Sequence, residues 1–247
     1  MRMKSFWMQS KAEIVRTLRN KYYIFWSLLI PVLFYFLFTN IFTAPRDDEA
    51  LWNVHYLMSM TTFSIMGSSI MTLGIKIVQE KAEGWTIFLH ITPLSQFAYF
   101  GAKMVAQTVI HLFSILVIFT AGVLINGVHL SFSQWMFCGI WILFGSLPFL
   151  ALGTIIGNIK KVETASGISN LLYMSMAITG GMWMPIDVFP SFMQQVAKWV
   201  PSYHFANGAW EIIRDQYPSF LNYLMIIGYL LLFMVLSIYI GKKQEAV

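Results

Sequence analysis

Apolar and polar positions along this chain separate into long blocks. Six apolar blocks, at 22–42, 54–75, 97–125, 132–156, 165–184 and 220–241, each come close to the length of helix that crosses a hydrocarbon core, about 20 residues. The connections between them are short and polar, apart from two longer ones at 76–93 and 185–219. The pattern predicts an all-α polytopic membrane protein with six transmembrane helices, forming a single domain over 1–247.

The segments outside the blocks carry patterns of their own. Residues 1–21 are too polar to insert. On a helical wheel Met3, Trp7, Ile14 and Leu18 share one face, opposite Arg2, Gln9, Glu13 and Arg16. This predicts an N-terminal interfacial helix, with a bend at Asn20 before the first span. In the second connection Val78, Ala82, Trp85 and Leu89 fall at helical spacing, Gln79, Glu80, Lys81 and Glu83 cover the rest, and Pro93 stops the run. Such a short amphipathic helix suits docking onto a soluble protein, and equally a solvated helix with no partner. In the last connection Ser191 with Gln194 has the spacing of a capping box. Phe192, Val196 and Trp199 form one stripe, Pro201 breaks the run, and Phe205, Ala209, Ile212 and Ile213 form a second. Two short external amphipathic helices are expected at or dipping into the outer leaflet, either shaping a gate or serving as a simple lid.

Composition removes the soluble alternative. With 57% hydrophobic and 11% charged residues, a soluble domain of this length would lack polar surface. Charge then sets an expected orientation. Thirteen of the sixteen basic residues, from Arg2 through Lys76, Lys81, Lys103, Lys160 and Lys161 to Lys242 and Lys243, fall on one side of the six-span arrangement. The positive-inside rule places both termini in the cytoplasm, as an even number of spans also requires. The net charge of +5 therefore reads as topology and attraction to anionic lipid, not as a nucleic-acid signal. No cleavable signal peptide is expected. The single cysteine, Cys138, excludes an internal disulfide and a cysteine-based metal site. The five histidines are scattered and show no metal-ligand spacing, which speaks against a membrane enzyme.

At membrane depth the chain is nearly free of ionisable groups. His111 and Gln107, one turn apart, are the main exceptions, and His111 reads as an interhelical hydrogen-bonding residue. A proton relay or charged filter is missing, against a secondary transporter or channel. Small hydroxyl residues are plentiful instead. Ser64, Ser68 and Thr72 in the second span, and Ser169, Asn170 and Thr179 in the fifth, suit close helix packing; they also suit a weakly polar face that passes an amphipathic molecule. Gly145, Pro148, Gly153 and Gly157 in the fourth span read as packing and bending positions.

The run Gly180-Gly181-Met182-Trp183-Met184-Pro185, then Phe189-Pro190, then Val200-Pro201-Ser202-Tyr203, resembles the signature of the ABC type 2 (ABC-2) transporter permeases, membrane subunits of bacterial exporters. Glu13-x-x-Arg16-x-x-Arg19-Asn20-Lys21, Pro31 inside the first span, and Glu80-x-x-Glu83-Gly84 leading to Thr92-Pro93 match in order. The similarity covers essentially the whole chain. One departure is Trp85, which stands between Gly84 and Thr86 where many members have Thr directly after the Gly.

The resemblance implies that 76–93 is a cytoplasmic coupling helix seated on an ATPase subunit, with Glu80, Lys81, Glu83, Gly84 and Trp85 as contacts. It implies a translocation path past Ser64, Ser68, Thr72, Ser169, Asn170 and Thr179. It also implies an external gate at Trp183, Pro185, Phe189, Pro190, Pro201 and Tyr203. The chain has no G-x-x-x-x-G-K-[ST] phosphate loop, so it is expected to carry no cofactor itself. ATP and Mg would be bound by a separate ABC ATPase subunit in two copies, beside a second permease chain. The expected protein is the permease of an ATP-driven exporter in a bacterial plasma membrane. Its cargo would be a lipid, antimicrobial peptide or drug. A secondary transporter or channel, or a sensing subunit of an ABC-type resistance complex, are the alternatives.

Overall fold

The structure is a computed structural model that describes residues 2–41, 49–85 and 95–245. Residues 43–48 of the acidic external loop expected at 43–53, and the 86–93 part of the second connection, lie outside the described residues; residues 49–53 of that loop are already helical. Among the described residues every long element is helical.

Helix α1 (Arg2–Arg19) stops at Asn20, and α2 (Lys21–Asn40) leaves at 65° to it. Next comes one continuous rod: α3 (Glu49–Gly67), a π-helical stretch (Ser68–Leu73) and α4 (Gly74–Ala82). Then follow α5 (Gln96–Asn126), α6 (Phe132–Gly145), α7 (Leu147–Ile156) and α8 (Val162–Thr179). The chain ends with α9 (Ser191–Ala197), α10 (Pro201–Ile212) and α11 (Phe220–Glu245).

Among the described residues four stretches are long and apolar enough to cross a membrane: Glu49–Ala82, Ala98–Asn126, Phe132–Ile156 and Phe220–Lys243. Counted together as one bent span, the polar α1 and the apolar α2 would make a fifth, with α2 as its membrane-crossing part. The expected fifth block, 165–184, folds as the 18-residue α8 and is not among these, because Glu163, Ser166, Ser169, Asn170 and Ser175 dilute its hydropathy.

The rod forms the centre. Its α3 part is buried on nearly every side, as a helix enclosed by others is, while the α4 part is amphipathic. Leu57, Met58, Met60, Ile65, Met66 and Ile70 are fully buried. At the π stretch, α7 comes very close: a Cβ on Gly153 would sit 2.3 Å from the Ser69 carbonyl oxygen. From the other side Gln107 donates to Ser68 Oγ at 2.5 Å, and His111 Nε2 lies 3.4 Å from Ser69 Oγ. His111 thus makes an interhelical contact. A π turn leaves the backbone ladder locally widened, and here small and hydroxyl side chains fill the space.

Four expectations change. First, α1 is amphipathic, yet its polar face is the buried one: Ser10, Glu13 and Thr17 pack inward while Met3, Trp7 and Leu18 are exposed. Second, α4 is not a separate helix between spans, because the rod runs unbroken to Ala82. Third, α10 is enclosed: Phe205, Ala209, Ile212 and Ile213 are buried against α3, α6 and α11, and Trp141 Nε1 donates to the Phe205 carbonyl at 2.8 Å. Fourth, Pro190 caps α9, and Gln194 turns back to the Phe189 carbonyl at 2.8 Å instead of closing a box with Ser191. The capping box forms at Ser131 and Gln134, opening α6.

Candidate functional site

Basic residues gather at one end of the bundle, hereafter the basic end. It holds α1, the end of α4 and the start of α5. Glu13 projects from the inward face of α1, one turn from Ser10 and Thr17. Its carboxylate receives Lys103 of α5 at 2.9 Å, Lys76 of α4 at 2.9 Å and Arg16 at 3.1 Å. Lys76 also reaches Thr17 Oγ1 at 3.2 Å. One turn further along α4, Glu80 accepts from Lys103 at 2.8 Å and is bonded by Arg16 and by the Tyr99 hydroxyl. The Lys103 ammonium lies 4.9 Å from the Tyr99 ring centre.

Three cations and two carboxylates therefore form one network across three helices. Lys103 is only 2% exposed, and the side chains of Glu13 and Glu80 are 5% and 6% exposed. Burial by itself would raise the Glu13 carboxyl; Lys103 and Lys76 more than offset that and hold it at about 2. For Arg16, burial opposes the charge, and Glu80 and Glu13 outweigh it and raise the guanidinium further. Every member has a counter-ion, which is the condition for charges to persist out of water.

The network ends beside the turn that leaves the rod. Lys81 donates to Asn158 at 2.9 Å, tying α4 to the turn after α7. The Glu83 amide returns to the Gln79 carbonyl at 2.9 Å and the Gly84 amide to Lys81 at 3.1 Å. Gly84 has φ 77°, a left-handed conformation that costs a side-chain-bearing residue energy. Glu83 and Trp85 are exposed.

The five residues expected to face an ATPase thus divide. Glu83 and Trp85 are on the surface, Gly84 shapes the turn, Lys81 is half-buried, and Glu80 is turned inward and committed to the network. The expected path residues have different surroundings among the described residues. Ser64 is buried with its hydroxyl 3.5 Å from the Ser27 carbonyl, and Ser68 takes the Gln107 bond. Ser169 is fully buried, and its hydroxyl has no hydrogen-bond partner among the described residues. Thr72 borders a cavity of about 500 Å³ at the basic end, with Arg16 and Lys76. Asn170 is exposed, and Thr179 donates to Ser175 at 2.7 Å.

At the far end Trp183 packs on Phe34 and Phe63, with ring centres 5.7 and 5.8 Å away, and its carbonyl accepts from Tyr56 at 3.3 Å. Pro201 is buried at the start of α10, Phe189 is half-buried and Pro190 exposed. Pro185 and Tyr203 border a second cavity of about 570 Å³.

The sequence reading did not single out Glu13, Lys76, Tyr99 and Lys103 as a site. A signal was present. Lys103 lies inside the 97–125 block, where a charge needs a partner, and Glu13 is the acidic residue of an otherwise basic helix.

The family described as ABC-2 type transporter matches residues 4–214. The chain belongs to that family. It is 56% identical over 239 residues to the Bacillus subtilis (strain 168) protein named transport permease YvfS, covering 97% of this chain and 98% of that one. It is 31% identical over 98 residues to the linearmycin resistance permease protein LnrN of the same strain, covering 39% of this chain and 25% of that protein. As an ABC-2 permease the chain is a multi-pass membrane transport subunit rather than an enzyme, and the family implies pairing with an ABC ATPase.

Proposed function

We propose that this permease carries an amphipathic or hydrophobic compound outward across a bacterial plasma membrane, driven by ATP hydrolysis on a separate subunit. The working unit is two ATPase chains with two permease chains. The basic end and both termini face the cytoplasm, in line with the excess of Lys and Arg there. The observation that carries the reading is the buried ion network. It fastens α1 to the end of the central rod beside the Glu83-Gly84 turn, so force applied at that turn is delivered to three helices together.

In this reading Glu83, Gly84 and Trp85 meet the ATPase, and Glu80 anchors the contact from inside. Asn170 and Thr179 on α8 face the path between the two permease chains. Trp183, Pro185, Phe189, Pro190, Pro201 and Tyr203 control the exit. The cargo class is supported by the uncharged, hydroxyl-bearing faces at depth and by a relative named for linearmycin resistance. ATP and Mg belong to the partner.

The test is co-purification with the ATPase, followed by ATPase stimulation by a panel of lipids and peptides. Glu83→Lys and Gly84→Trp should abolish stimulation or assembly while leaving membrane insertion intact. Normal stimulation in both variants would overturn the coupling assignment.

A further inference from the structure

Where α1 bends into α2, the cavity of about 500 Å³ opens between the elbow and the central rod. Arg16 and Asn20 line it from the elbow, and Lys76 and Gln79 from the rod; toward the middle of the rod the lining turns apolar, with Met71 and Ile75. The elbow marks the level of the membrane interface. Helix α2 is apolar along its length and enters the hydrocarbon, while α1 is polar overall and exposes Trp7, Met8 and Leu18, the pattern of a helix lying in the headgroup layer.

The two cations of the cavity are held but not exhausted. Every bond from Arg16 to Glu13 and Glu80 runs through Nη2, so among the described residues its Nη1 and Nε donors have no acceptor. That side chain is 46% exposed. Lys76 gives two of its three N–H groups, to Glu13 and Thr17, and is 25% exposed. The ion network fixes both side chains, so a ligand that meets them does not have to order them.

The charge at the elbow is positive however widely it is counted. Glu13 and Glu80 keep their negative charge inside the network, where three cations against two carboxylates leave one positive charge. Among the described residues no carboxylate lines the cavity. Arg19 and Lys21 flank Asn20, and over the whole basic end thirteen basic residues stand against Glu13, Glu80, Glu83, Glu163 and Glu245. The helix dipoles do not reverse this, because the C-terminal end of α1 and the N-terminal end of α2 meet at Asn20 and offset each other.

We infer that the elbow cavity holds the phosphate of an anionic phospholipid, bound by Arg16 and Lys76 beside Asn20 and Gln79, with its acyl chains leaving along Met71 and Ile75. A zwitterionic lipid brings its own cation into the same positive field and is disfavoured. A free phosphate lacks the apolar body that Met71 and Ile75 would cover. The lipid comes from the surrounding leaflet, so the site does not depend on what the permease exports.

The test uses the full-length chain in dodecyl maltoside, with no ATPase present. Dioctanoyl phosphatidylglycerol and dioctanoyl phosphatidylcholine are titrated separately, and the first bound lipid is counted by native mass spectrometry. The anionic lipid should bind about tenfold more tightly, the worth of one to two basic side chains at a membrane surface. Glycerol 3-phosphate, which carries the acid group without the chains, should not displace it. Arg16→Gln should erase the preference. Gln79→Glu should do so too; it changes an exposed side chain and leaves every member of the ion network in place. Lys243→Gln makes the same change of charge at the same end, away from the cavity, and should keep the preference. Equal binding of the two lipids by the parent chain, a preference that survives either cavity variant, its loss in Lys243→Gln, or displacement by glycerol 3-phosphate would each overturn the site. Failure of the exporter reading shows differently: ATP-dependent transport is absent while the preference for the anionic lipid persists.

Discussion

Replacing Glu13 with Gln tests the ion network directly. The amide keeps the shape and loses the charge that Lys103, Lys76 and Arg16 share. A carboxyl held at about 2, against an ordinary 4.5, contributes about 3 kcal/mol at neutral pH. That agrees with the ~3–5 kcal/mol cost of removing one partner from a buried ion pair. The loss falls first on α1, whose polar face is held to α5 through this residue. Hydrogen exchange of the α1 amides in the detergent-solubilised chain should therefore accelerate about 100-fold at pH 7.

The sign with pH follows from the depressed carboxyl. Its stabilisation is fully present above pH 4.5 and is lost as pH falls from there toward 2. The gap between Glu13→Gln and the parent chain should shrink over that interval. Unchanged α1 protection at pH 7, or a gap that stays constant down to pH 2.5, would refute the reasoning.

Two further outcomes follow from other parts of the molecule. Gly153→Leu places side-chain atoms where the Ser69 carbonyl already stands, 2.3 Å from the ideal Cβ; it should cost about 1–3 kcal/mol in thermal unfolding, whereas Gly139→Leu, which meets nothing within 4 Å, should be neutral. A reporter fused to the C-terminus should be active only on the cytoplasmic side.

The helices were legible because burial in lipid or protein demands long unbroken apolar runs, and the sequence shows them directly. Asn20 was legible as a bend for the same reason: the polar α1 and the apolar α2 cannot share one environment. What the sequence concealed was which face of a helix meets protein. Met3, Trp7 and Leu18 looked like the anchoring face of α1, and they are exposed as such a face would be. On the opposite side, however, Ser10, Glu13 and Thr17 are buried. That side meets Lys76, Glu80 and Lys103, three residues on two other helices, and no local pattern records that meeting. Glu80 shows the same blindness at a single position. Among Gln79, Lys81 and Glu83 it reads as part of a solvated charged face, yet its phase on the rod points it at Arg16 and Tyr99. The π stretch was equally hidden. Ser68, Ser69 and Thr72 registered as small hydroxyl positions, but the widened turn beside Gly153, Gln107 and His111 left no local pattern.

The rod explains how the two ends of the molecule are related. Glu49–Ala82 is 34 residues of continuous helix, about 50 Å in length. It carries Lys76 and Glu80 at the basic end and Leu51, Trp52 and His55 at the far-end cavity of about 570 Å³. A rigid helix cannot be displaced at one end without moving the other unless it bends between them. The π stretch is the place where it could bend, since its hydrogen bonds are the least regular. Yet that stretch is clamped by Gly153 on one side and by Gln107 and His111 on the other. The bonds of Gln107 and His111 to Ser68 and Ser69 therefore tie α5 to the rod at the stretch where its helical pattern changes, between the ion network and the far end.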